Sequence, residues 1–365
     1  MVIVGAGIAG TTAAIALAET GWTVHILELS PDGRTAGWGL SLTGPALRAL
    51  DSLGLADVCV DAGYGMSRIT NWEPDGSAFE IGLPPLLGPN RPATAGIPRP
   101  ELHRILTARA LERGVAISYG LSVADLQELP SGVQAVLTDG RTVNADLIVG
   151  ADGIRSQVRK LLGLDATLNY TGQGIWRARV PRPTWATGIH TFALDDRQMG
   201  VVPIGANEAY VFLTENGALR EVVPDEELAV RMSTLMEPFE GRAAGLREPV
   251  LRSEGVVRRM GQTLVVDGEW HTGRVVLVGD AVHAPSPQTA SGAALAIEDG
   301  VVLAEELTGH LAAEQALMAF GARRLKRCST LVNTSLEVAL MEQKGRHLES
   351  HALVEQCHRL LAQPA

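Results

Sequence analysis

The chain has 365 residues, of which 46% are hydrophobic and 20% are charged, and its formal net charge at pH 7 is −10. This length and composition favour a folded protein with a sizeable core, in two domains or in one large domain with an inserted layer, and they exclude a disordered or fibrous chain. The acidic balance argues against a surface for nucleic acid or anionic membrane, because phosphate contacts require clustered Lys and Arg.

Residues 1–28 predict a nucleotide-binding unit. A short apolar strand leads into Gly5-Ala6-Gly7-Ile8-Ala9-Gly10, and an Ala-rich helix and a second strand ending on Glu28 follow. In this pattern the first glycine permits a tight turn, the second lets backbone N–H groups approach a pyrophosphate, and the third lets the helix pack closely on the sheet. The pyrophosphate then lies at the positive end of the helix dipole. Glu28 is placed to accept hydrogen bonds from an adenosine ribose.

The next stretch predicts helices and strands of mixed type. After a loop rich in Gly and Ser, apolar spacing predicts a helix over 45–53. Residues 64–98 alternate strand-like runs with Pro and Gly, which indicates an antiparallel excursion, and Arg99 begins a helix that continues through Leu111. Further strands are predicted over 115–119, 133–138 and 145–149.

A second candidate segment follows the last of these strands. GADGIRSQVR, residues 150–159, ends a strand, turns at Asp152-Gly153 and begins a helix at Ser156. Asp152 is placed to orient backbone or ligand hydroxyls, and Arg155 and Arg159 offer positive charge to phosphate. Taken alone, the segment is more typical of an ordinary strand-to-helix connection.

From about residue 168 to 260 the chain changes character. Short alternating strands separated by turn residues predict a mostly antiparallel sheet, with one helix near 225–237, inserted between two parts of the nucleotide domain. The long helices that end the chain are predicted over 292–307 and 312–361, with a break near Gly345.

A third segment precedes those helices. The strand over 275–278 ends at Gly279-Asp280, a loop containing Pro287 follows, and a helix begins at Gly292-Ala293-Ala294. Asp280 is well placed for the hydroxyls of an extended sugar-alcohol chain. The helix N-terminus points unpaired N–H groups into the crevice beyond the strand, where they stabilise negative charge.

The cysteines and the N-terminus indicate the cellular setting. Cys59, Cys328 and Cys357 are far apart and form no CxxC pair, so they indicate neither a disulfide framework nor a metal site. The first apolar residues already fit the first strand, so no signal peptide is predicted, and no apolar run of about 18 residues indicates a membrane span. We therefore expect a cytoplasmic protein without a metal ion or a membrane partner.

Together the three segments resemble those of the class A flavoprotein monooxygenases, the FAD-dependent aromatic hydroxylases of the para-hydroxybenzoate hydroxylase family, over essentially the whole chain. The resemblance implies an α/β fold in which a Rossmann-like FAD-binding domain of the glutathione-reductase type carries an inserted, mostly antiparallel β-sheet substrate domain and C-terminal helices. The expected FAD-binding domain comprises 1–63, 99–165 and 262–311. The expected substrate domain comprises 64–98 and 166–261, and the C-terminal helices comprise 312–365.

The resemblance also implies which residues bind FAD. The first segment and Glu28 would bind the ADP half, Arg99 and Asp152 would face the pyrophosphate, and Asp280 would hold the ribityl chain. Arg34 is the nearest basic residue after the ribose acid, and Val123 would present backbone groups to the adenine. The full set of expected cofactor-binding residues is Gly5, Gly7, Ile8, Ala9, Gly10, Glu28, Arg34, Arg99, Val123, Asp152, Gly153, Gly279, Asp280, Pro287, Gly292, Ala293 and Ala294.

The chain departs from the family pattern at the flavin end. The usual Gly-x-Gly-x-Asn is Ala290-Ser291-Gly292-Ala293-Ala294 here, so the amide side chain is absent and one glycine is Ala. Trp38, in the Gly37-Trp38-Gly39 loop, is expected either to line the active site or to pack the loop onto the fold.

The family's reaction gives the expected function. NADH or NADPH, as a transient reductant, reduces FAD, O2 forms the flavin C4a-hydroperoxide, and one oxygen atom hydroxylates or epoxidises an aromatic or other electron-rich small molecule. No catalytic residue is assigned. The candidates for a substrate base in the inserted sheet are His190, Tyr210, Arg177 and Arg179.

Three alternatives stay open at this point. The first is a two-component monooxygenase that a partner supplies with reduced flavin. The second is an FAD-dependent dehydrogenase without oxygen transfer, and the third is a flavin-binding sensor or interaction protein without enzymatic activity. A monomer or a homodimer is expected in each case.

Overall fold

A computed structural model describes residues 1–33, 37–164, 166–217, 222–309 and 312–365. The first part of the chain, through residue 165, alternates helices with short strands. In order, these elements are β1 (Val2–Val4), α1 (Ile8–Glu19), β2 (His25–Glu28), β3 (Gly39–Leu42), α2 (Gly44–Ser52), α3 (Ala56–Asp61), β4 (Tyr64–Met66), β5 (Arg68–Trp72), β6 (Ala78–Gly82), β7 (Thr94–Pro98), α4 (Arg99–Glu112), β8 (Ala116–Tyr119), β9 (Val123–Leu129), β10 (Gly132–Leu137), β11 (Thr142–Ala145), β12 (Ile148–Gly150) and α5 (Gln157–Leu161).

The second part contains the longest strands and the longest helices. Its elements are β13 (Asn169–Pro181), β14 (Ile189–Leu194), β15 (Arg197–Pro203), β16 (Glu208–Asn216), α6 (Leu228–Leu235), α7 (Gly241–Ala244), α8 (Arg247–Leu251), β17 (Val257–Val265), β18 (His271–Thr272), β19 (Val275–Leu277), β20 (His283–Ala284), α9 (Gly292–Gly309), α10 (Ala313–Glu342) and α11 (His347–Ala362). Short 3-10 turns cover Asp225–Glu227, Gly279–Ala281 and Pro287–Thr289. No helix in the described part of the chain is long and apolar enough to cross a membrane.

The nucleotide-type sheet has six strands in the order β18-β19-β12-β1-β2-β8. All neighbours are parallel except β18, which is an antiparallel edge strand. The central strands β1 and β19 are buried at every residue, as expected for parallel strands that helices cover on both faces. Helices α1 and α9 pack against each other so closely that a Cβ on Gly300 would lie 2.6 Å from the backbone nitrogen of Ala13.

The inserted sheet has eight strands in the order β20-β17-β13-β16-β15-β14-β5-β6. Its strands are antiparallel except for the β14–β5 pair. One face carries a separate core in which Trp176 and Met199 pack on residues of α6 and α8, such as Met232 and Val250. The opposite face is therefore free to bound a cavity. The α/β fold, the inserted antiparallel sheet and the C-terminal helices are confirmed.

Two three-stranded sheets, β11-β10-β9 and β3-β7-β4, complete the structure. The expected domain limits divide several paired elements: β7 pairs with both β3 and β4, whereas β5 and β6 join the eight-stranded sheet. The limit at 262 falls inside β17. The division into domains stays a prediction, and these pairings show that the segment 64–98 contributes to two sheets.

Most predicted elements are found within a few residues of their expected limits. The strand predicted over 145–149 is wrong in its bounds, because the chain there serves two sheets. β11 ends at Ala145 in a hairpin with β10, and β12 begins at Ile148 in the parallel sheet. The long C-terminal helix breaks as predicted near Gly345, whose φ of +68° lies in the left-handed region.

Candidate cofactor and substrate site

The three sequence segments meet at one edge of the six-stranded sheet. Gly5 follows β1, Ala151 follows β12 and Val278 follows β19, and these three strands are adjacent. The Ala151 nitrogen donates to the Val4 carbonyl at 2.8 Å, and the Val278 nitrogen donates to the Gly150 carbonyl at 3.0 Å. The carboxyl ends of adjacent parallel strands form the crevice where doubly wound proteins bind ligands.

The glycines of the first segment have distinct roles in this crevice. Gly5 has a φ of +105°, and a Cβ there would lie 2.5 Å from the Ala151 carbonyl oxygen. A Cβ on Gly10 would lie 1.9 Å from the Gly5 carbonyl oxygen, so neither position accepts a side chain. A Cβ on Gly7 meets nothing within 4 Å, because this residue, the N-cap of α1, faces open space. Open space at a helix N-terminus suits a phosphate group.

Glu28 fixes the neighbouring turn. One carboxylate oxygen accepts from the Ala6 nitrogen at 2.8 Å and the other from the Ser30 nitrogen at 2.7 Å. Gly120 and Leu121 donate to the carbonyls of Ser30 and Glu28, which brings the start of β9 and the buried Val123 close to this acid. These bonds connect the two places at which the adenosine end is expected, Glu28 and the strand that begins at Val123. Arg34 lies outside the described residues.

The second segment is built around Asp152. Its carboxylate accepts from the Ser156 hydroxyl at 2.5 Å and from the backbone nitrogens of Gln157 and Val158, and thereby caps α5. Gly153, with a φ of +77°, faces open space. Arg159 differs from its expected role beside phosphate, because its guanidinium is buried and donates to the carbonyls of Ala281 and Ile154. It joins the second segment to the third.

Asp280 and Arg99 define a deep cleft. Both residues are exposed to solvent, yet burial within the protein body raises the pKa of Asp280 and lowers the pKa of Arg99. Groups that water reaches but protein surrounds must line a cleft. Their charges interact with each other, and Arg177 adds a second positive charge near Arg99.

A buried network of ion pairs between α9 and α10 holds the third segment in place. Asp299 of α9 accepts from the Gly279 nitrogen at 2.7 Å and pairs with His283 at 2.6 Å and with Arg324 at 2.8 Å. The charge of Asp299 raises the pKa of His283 against the opposing effect of burial. Arg324 also binds Glu298 at 2.9 Å. The turn that presents Asp280 is thus held by helices far along the chain.

The flavin-end loop follows this turn. Residues Pro287–Thr289 form a 3-10 turn, and Ala290 takes the left-handed conformation with a φ of +48° before Ser291. A non-glycine residue with this φ is strained unless its surroundings hold it. Helix α9 then begins at Gly292, where Gly292 and Ala293 are partly exposed and Ala294 is buried.

These features fit FAD. The crevice offers open space at the N-terminus of α1 and beside Gly153 of the second segment. It also contains the solvent-exposed Asp280 in a deep cleft and, within the third segment, the N-terminus of the 18-residue helix α9. Extended dinucleotides require this combination of backbone donors, unhindered approach and hydroxyl acceptors. Gly279 contributes to the close approach, because a Cβ there would lie 2.7 Å from the Cβ of Ala9.

A cavity of about 900 Å³, counting its opening to solvent, lies between the flavin-end loop and the open face of the eight-stranded sheet. We call it the ring cavity. Pro287 and Ala290 border it on one side, and the sheet and the C-terminal helices form the other walls. Its lining residues include Asn71, Ile175, Arg177, Thr191, Tyr210, Phe212, Glu342, His351, Val354 and His358.

Glu342 is the most unusual group in the ring cavity. Its side chain is 2% exposed, and burial raises its pKa to about 8, against opposing hydrogen bonds from Gln288 and Gln173. Among the described residues, Glu342 Oε2 and Gln288 Oε1 find no hydrogen-bond donor. A protonated carboxylic acid explains this arrangement, because an ionised Glu342 would leave a buried charge without a cation.

Helix α11 contributes two imidazoles to the same cavity. Burial and the nearby His347 lower the pKa of His351 to about 4, so its ring is neutral at pH 7. Both ring nitrogens of His351 are buried and have no partner among the described residues. Burial also lowers the pKa of His358. The ring cavity therefore offers neutral donors and acceptors beside the cation of Arg177.

The candidates for a substrate base divide between the two faces of the sheet. Tyr210 and Arg177 line the ring cavity. His190 faces the other side, where it accepts from the Trp72 indole at 3.3 Å and packs against Trp185. Arg179 is exposed and pairs with Glu208. His190 is therefore excluded, because it points away from the cavity that its neighbours Ile189 and Thr191 line. Arg179 lies on the same face of β13 as Arg177, but it does not line the cavity and is excluded for that reason.

Several residues that shape the site were not identified from the sequence. His103 of α4 contacts the Ala6 carbonyl at 2.8 Å, and Asp299, Glu342 and His351 act from distant helices. The acidic pair Glu298-Asp299, between apolar stretches of α9, was a local signal. Trp38 packs on Gly255, where a Cβ would lie 1.9 Å from its ring, so packing of its loop is the role that the structure supports.

Known proteins show the same sequence pattern. A family model described as the FAD binding domain matches residues 1–335. The chain is 32% identical to a putative FAD-dependent monooxygenase, YetM, of Bacillus subtilis, over 99% of this chain and 98% of that protein. It is 31% identical to the 2-heptyl-3-hydroxy-4(1H)-quinolone synthase of Pseudomonas aeruginosa, over 83% of this chain and 79% of that enzyme.

The structure is also similar to solved structures of other proteins. A crystal structure of 2-methyl-3-hydroxypyridine-5-carboxylic acid oxygenase is 28% identical, with a TM-score of 0.80, and the match covers 96% of this chain and 95% of the oxygenase.

Proposed function

Because the chain belongs to the family of FAD-dependent monooxygenases, we propose that its three sequence segments hold FAD and that its ring cavity holds the aromatic substrate. The protein is an oxidoreductase that incorporates oxygen from O2. When it is bound, FAD supplies the redox chemistry of this family, which is reduction by NADH or NADPH followed by transfer of one oxygen atom to the substrate.

The cofactor would be held by backbone and by a few charges. The N–H groups at the N-terminus of α1 and the open approach at Gly7 would bind the pyrophosphate. Asp280 would accept hydrogen bonds from the ribityl hydroxyls, and Arg99 would balance the charge in the cleft. Pro287 and the start of α9 would border the flavin ring. The helix dipole of α9 would favour negative charge there.

The substrate would lie on the cavity side of this loop. The single observation that carries this assignment is the position of the ring cavity, which the flavin-end loop 287–290 and the open face of the inserted sheet bound together. Of the proteins named above, one is a synthase of a hydroxyquinolone and another is an oxygenase of a hydroxypyridine carboxylic acid, and both names contain a small aromatic ring. An aromatic ring held there would lie beside the flavin-end loop and would displace water from that side of the cavity.

The polar groups of the cavity would orient the ring. A protonated Glu342 would donate a hydrogen bond, neutral His351 would offer one donor and one acceptor, and Arg177 would stabilise a phenolate or carboxylate oxygen. Tyr210, whose pKa burial raises, stays a neutral phenol. These groups would hold or move protons at the substrate, while oxygen transfer depends on the cofactor.

The test starts with the purified protein. We expect about one FAD per chain, NADH or NADPH oxidation that an aromatic substrate accelerates, and one atom from isotopically labelled O2 in the product. A protein that binds no FAD on reconstitution would refute the cofactor assignment. Rapid anaerobic bleaching of bound FAD by NADH or NADPH alone would exclude dependence on a separate reductase. Product without labelled oxygen would identify a dehydrogenase.

A further inference from the structure

A second cavity of about 520 Å³, counting its opening, adjoins the ring cavity. We call it the side cavity. The two cavities share wall residues, which are Ser41, Ile69, Ile189, Ala290 and His358. Because these residues belong to both walls, the two spaces are adjacent at the end of the flavin-end loop. The side cavity is therefore the space into which a ligand of the ring cavity would extend.

The side cavity differs from the ring cavity in chemistry. Leu83, Pro84 and Leu86 form one wall, and Pro45 and Leu361 belong to others. Among the described residues that line it, none is Asp, Glu, Lys or Arg.

The polar groups of the lining are hydroxyls and one imidazole, and among the described residues the Thr43 hydroxyl is buried without a hydrogen-bond partner. Burial lowers the pKa of His358, so its ring is uncharged at pH 7. The Thr94 hydroxyl donates to the Leu42 carbonyl at 2.9 Å and is thereby satisfied inside the wall.

These walls select the occupant. A charged group would lose its water there without gaining an opposite charge among the described lining residues, whereas an apolar group would lose only unfavourable contact with water. We propose that the side cavity binds a hydrocarbon chain carried by the aromatic substrate, while the ring lies in the ring cavity beside the loop 287–290. This inference rests on the proposed function, and it adds the chemical class of the substrate: an alkyl-substituted aromatic ring.

The test uses the FAD-loaded protein and a series of 4-alkylphenols from methyl to octyl. The dissociation constant of each is measured from the change in the absorbance of bound FAD. Each added methylene should tighten binding about fourfold until the chain fills the cavity. A dissociation constant that does not depend on chain length, or a series that does not bind at all, would overturn the proposal.

A matched pair of variants locates the effect. Leu86→Trp places a bulky ring in the wall of the side cavity, so the longer phenols should lose at least tenfold in affinity while methylphenol is unaffected. Leu348→Trp makes the same change at a position that is 67% exposed and lines neither cavity, and it should leave the whole series unchanged. Equal losses for short and long phenols in Leu86→Trp would contradict the assignment, as would no loss.

The outcome is separable from that of the proposed function. Chain-length-dependent binding without labelled oxygen in any product would leave the side cavity assigned and the monooxygenase activity refuted. Oxygen incorporation into simple phenols without a chain-length effect would establish the activity and refute the hydrocarbon site.

Discussion

Replacing Glu342 with Gln should remove a large pH dependence from the stability of this protein. Glu342 is 2% exposed, and burial raises its pKa from the ordinary 4.5 to about 8. Because the folded state binds this proton more tightly than the unfolded chain, the stabilisation is complete below pH 4.5, decreases as the pH rises, and is lost above about 8. The variant carries a neutral side chain of the same shape throughout this range.

The magnitude follows from the two pKa values. One pKa unit corresponds to about 1.4 kcal/mol, so the wild-type protein should lose up to about 5 kcal/mol of unfolding free energy between pH 4.5 and 8 through this group alone. This figure is an upper bound, because water from the adjoining ring cavity can solvate the ionised carboxylate. Other groups titrate in both proteins, so the difference between wild type and variant isolates Glu342.

The assay is urea denaturation of the FAD-loaded protein at several values between pH 5 and pH 9. We expect Glu342→Gln to match the wild type near pH 5 and to exceed it near pH 9. Glu337→Gln, at an exposed position on the same helix, is the control, and its unfolding free energy should depend on pH as that of the wild type does. Parallel curves for wild type and Glu342→Gln at all pH values would refute the argument that Glu342 holds a proton in the cavity.

Three further predictions concern the cofactor cleft and its support. Gly7→Ala should weaken FAD binding without lowering the stability of the apoprotein, because its Cβ would enter open space. Gly10→Ala should destabilise the fold, because its Cβ would lie 1.9 Å from a carbonyl oxygen. Equal stability of the two apoproteins in urea would be inconsistent with this difference. Asp280→Ala should raise the dissociation constant of FAD about ten- to a hundredfold by equilibrium titration, with the exposed Asp267→Ala as control, and an unchanged affinity would exclude Asp280 from the site. Arg324→Met should cost about 3–5 kcal/mol of unfolding free energy, because it leaves Asp299 and Glu298 buried without this cation, and a loss as small as that of the more exposed Arg323→Met would show that the network contributes little.

Much of the cofactor site was predictable because its signals are local. The turn at Gly5, the cap formed by Asp152 and the strand end at Asp280 can each be recognised from residues within a few positions of one another. Adjacent parallel strands then bring these turns together, since each strand ends at the same edge of the sheet. The order of the three segments was therefore sufficient to predict one crevice at this edge of the sheet, and the residues assigned to FAD in it stay a prediction.

The substrate side was less predictable because the alternation of side chains along a strand does not show which face of the sheet packs on helices and which borders a cavity. His190 and Tyr210 lie on strands of equal apolar character, yet they point to opposite sides of the eight-stranded sheet. The helices α6 and α8 pack on one face of the sheet and form a hydrophobic core there. The open side becomes the ring cavity.

The sequence by itself predicted the nucleotide-type fold and the turns of the three segments, since glycine conformation and helix polarity are properties of short segments. The resemblance to a known family predicted the cofactor. Tertiary packing alone decided that Glu342 and His351 meet the flavin-end loop, and that Asp299 supports the turn before Asp280. The physical reason is that burial sets both the contacts and the protonation of such groups, and burial depends on elements that lie far apart in the chain.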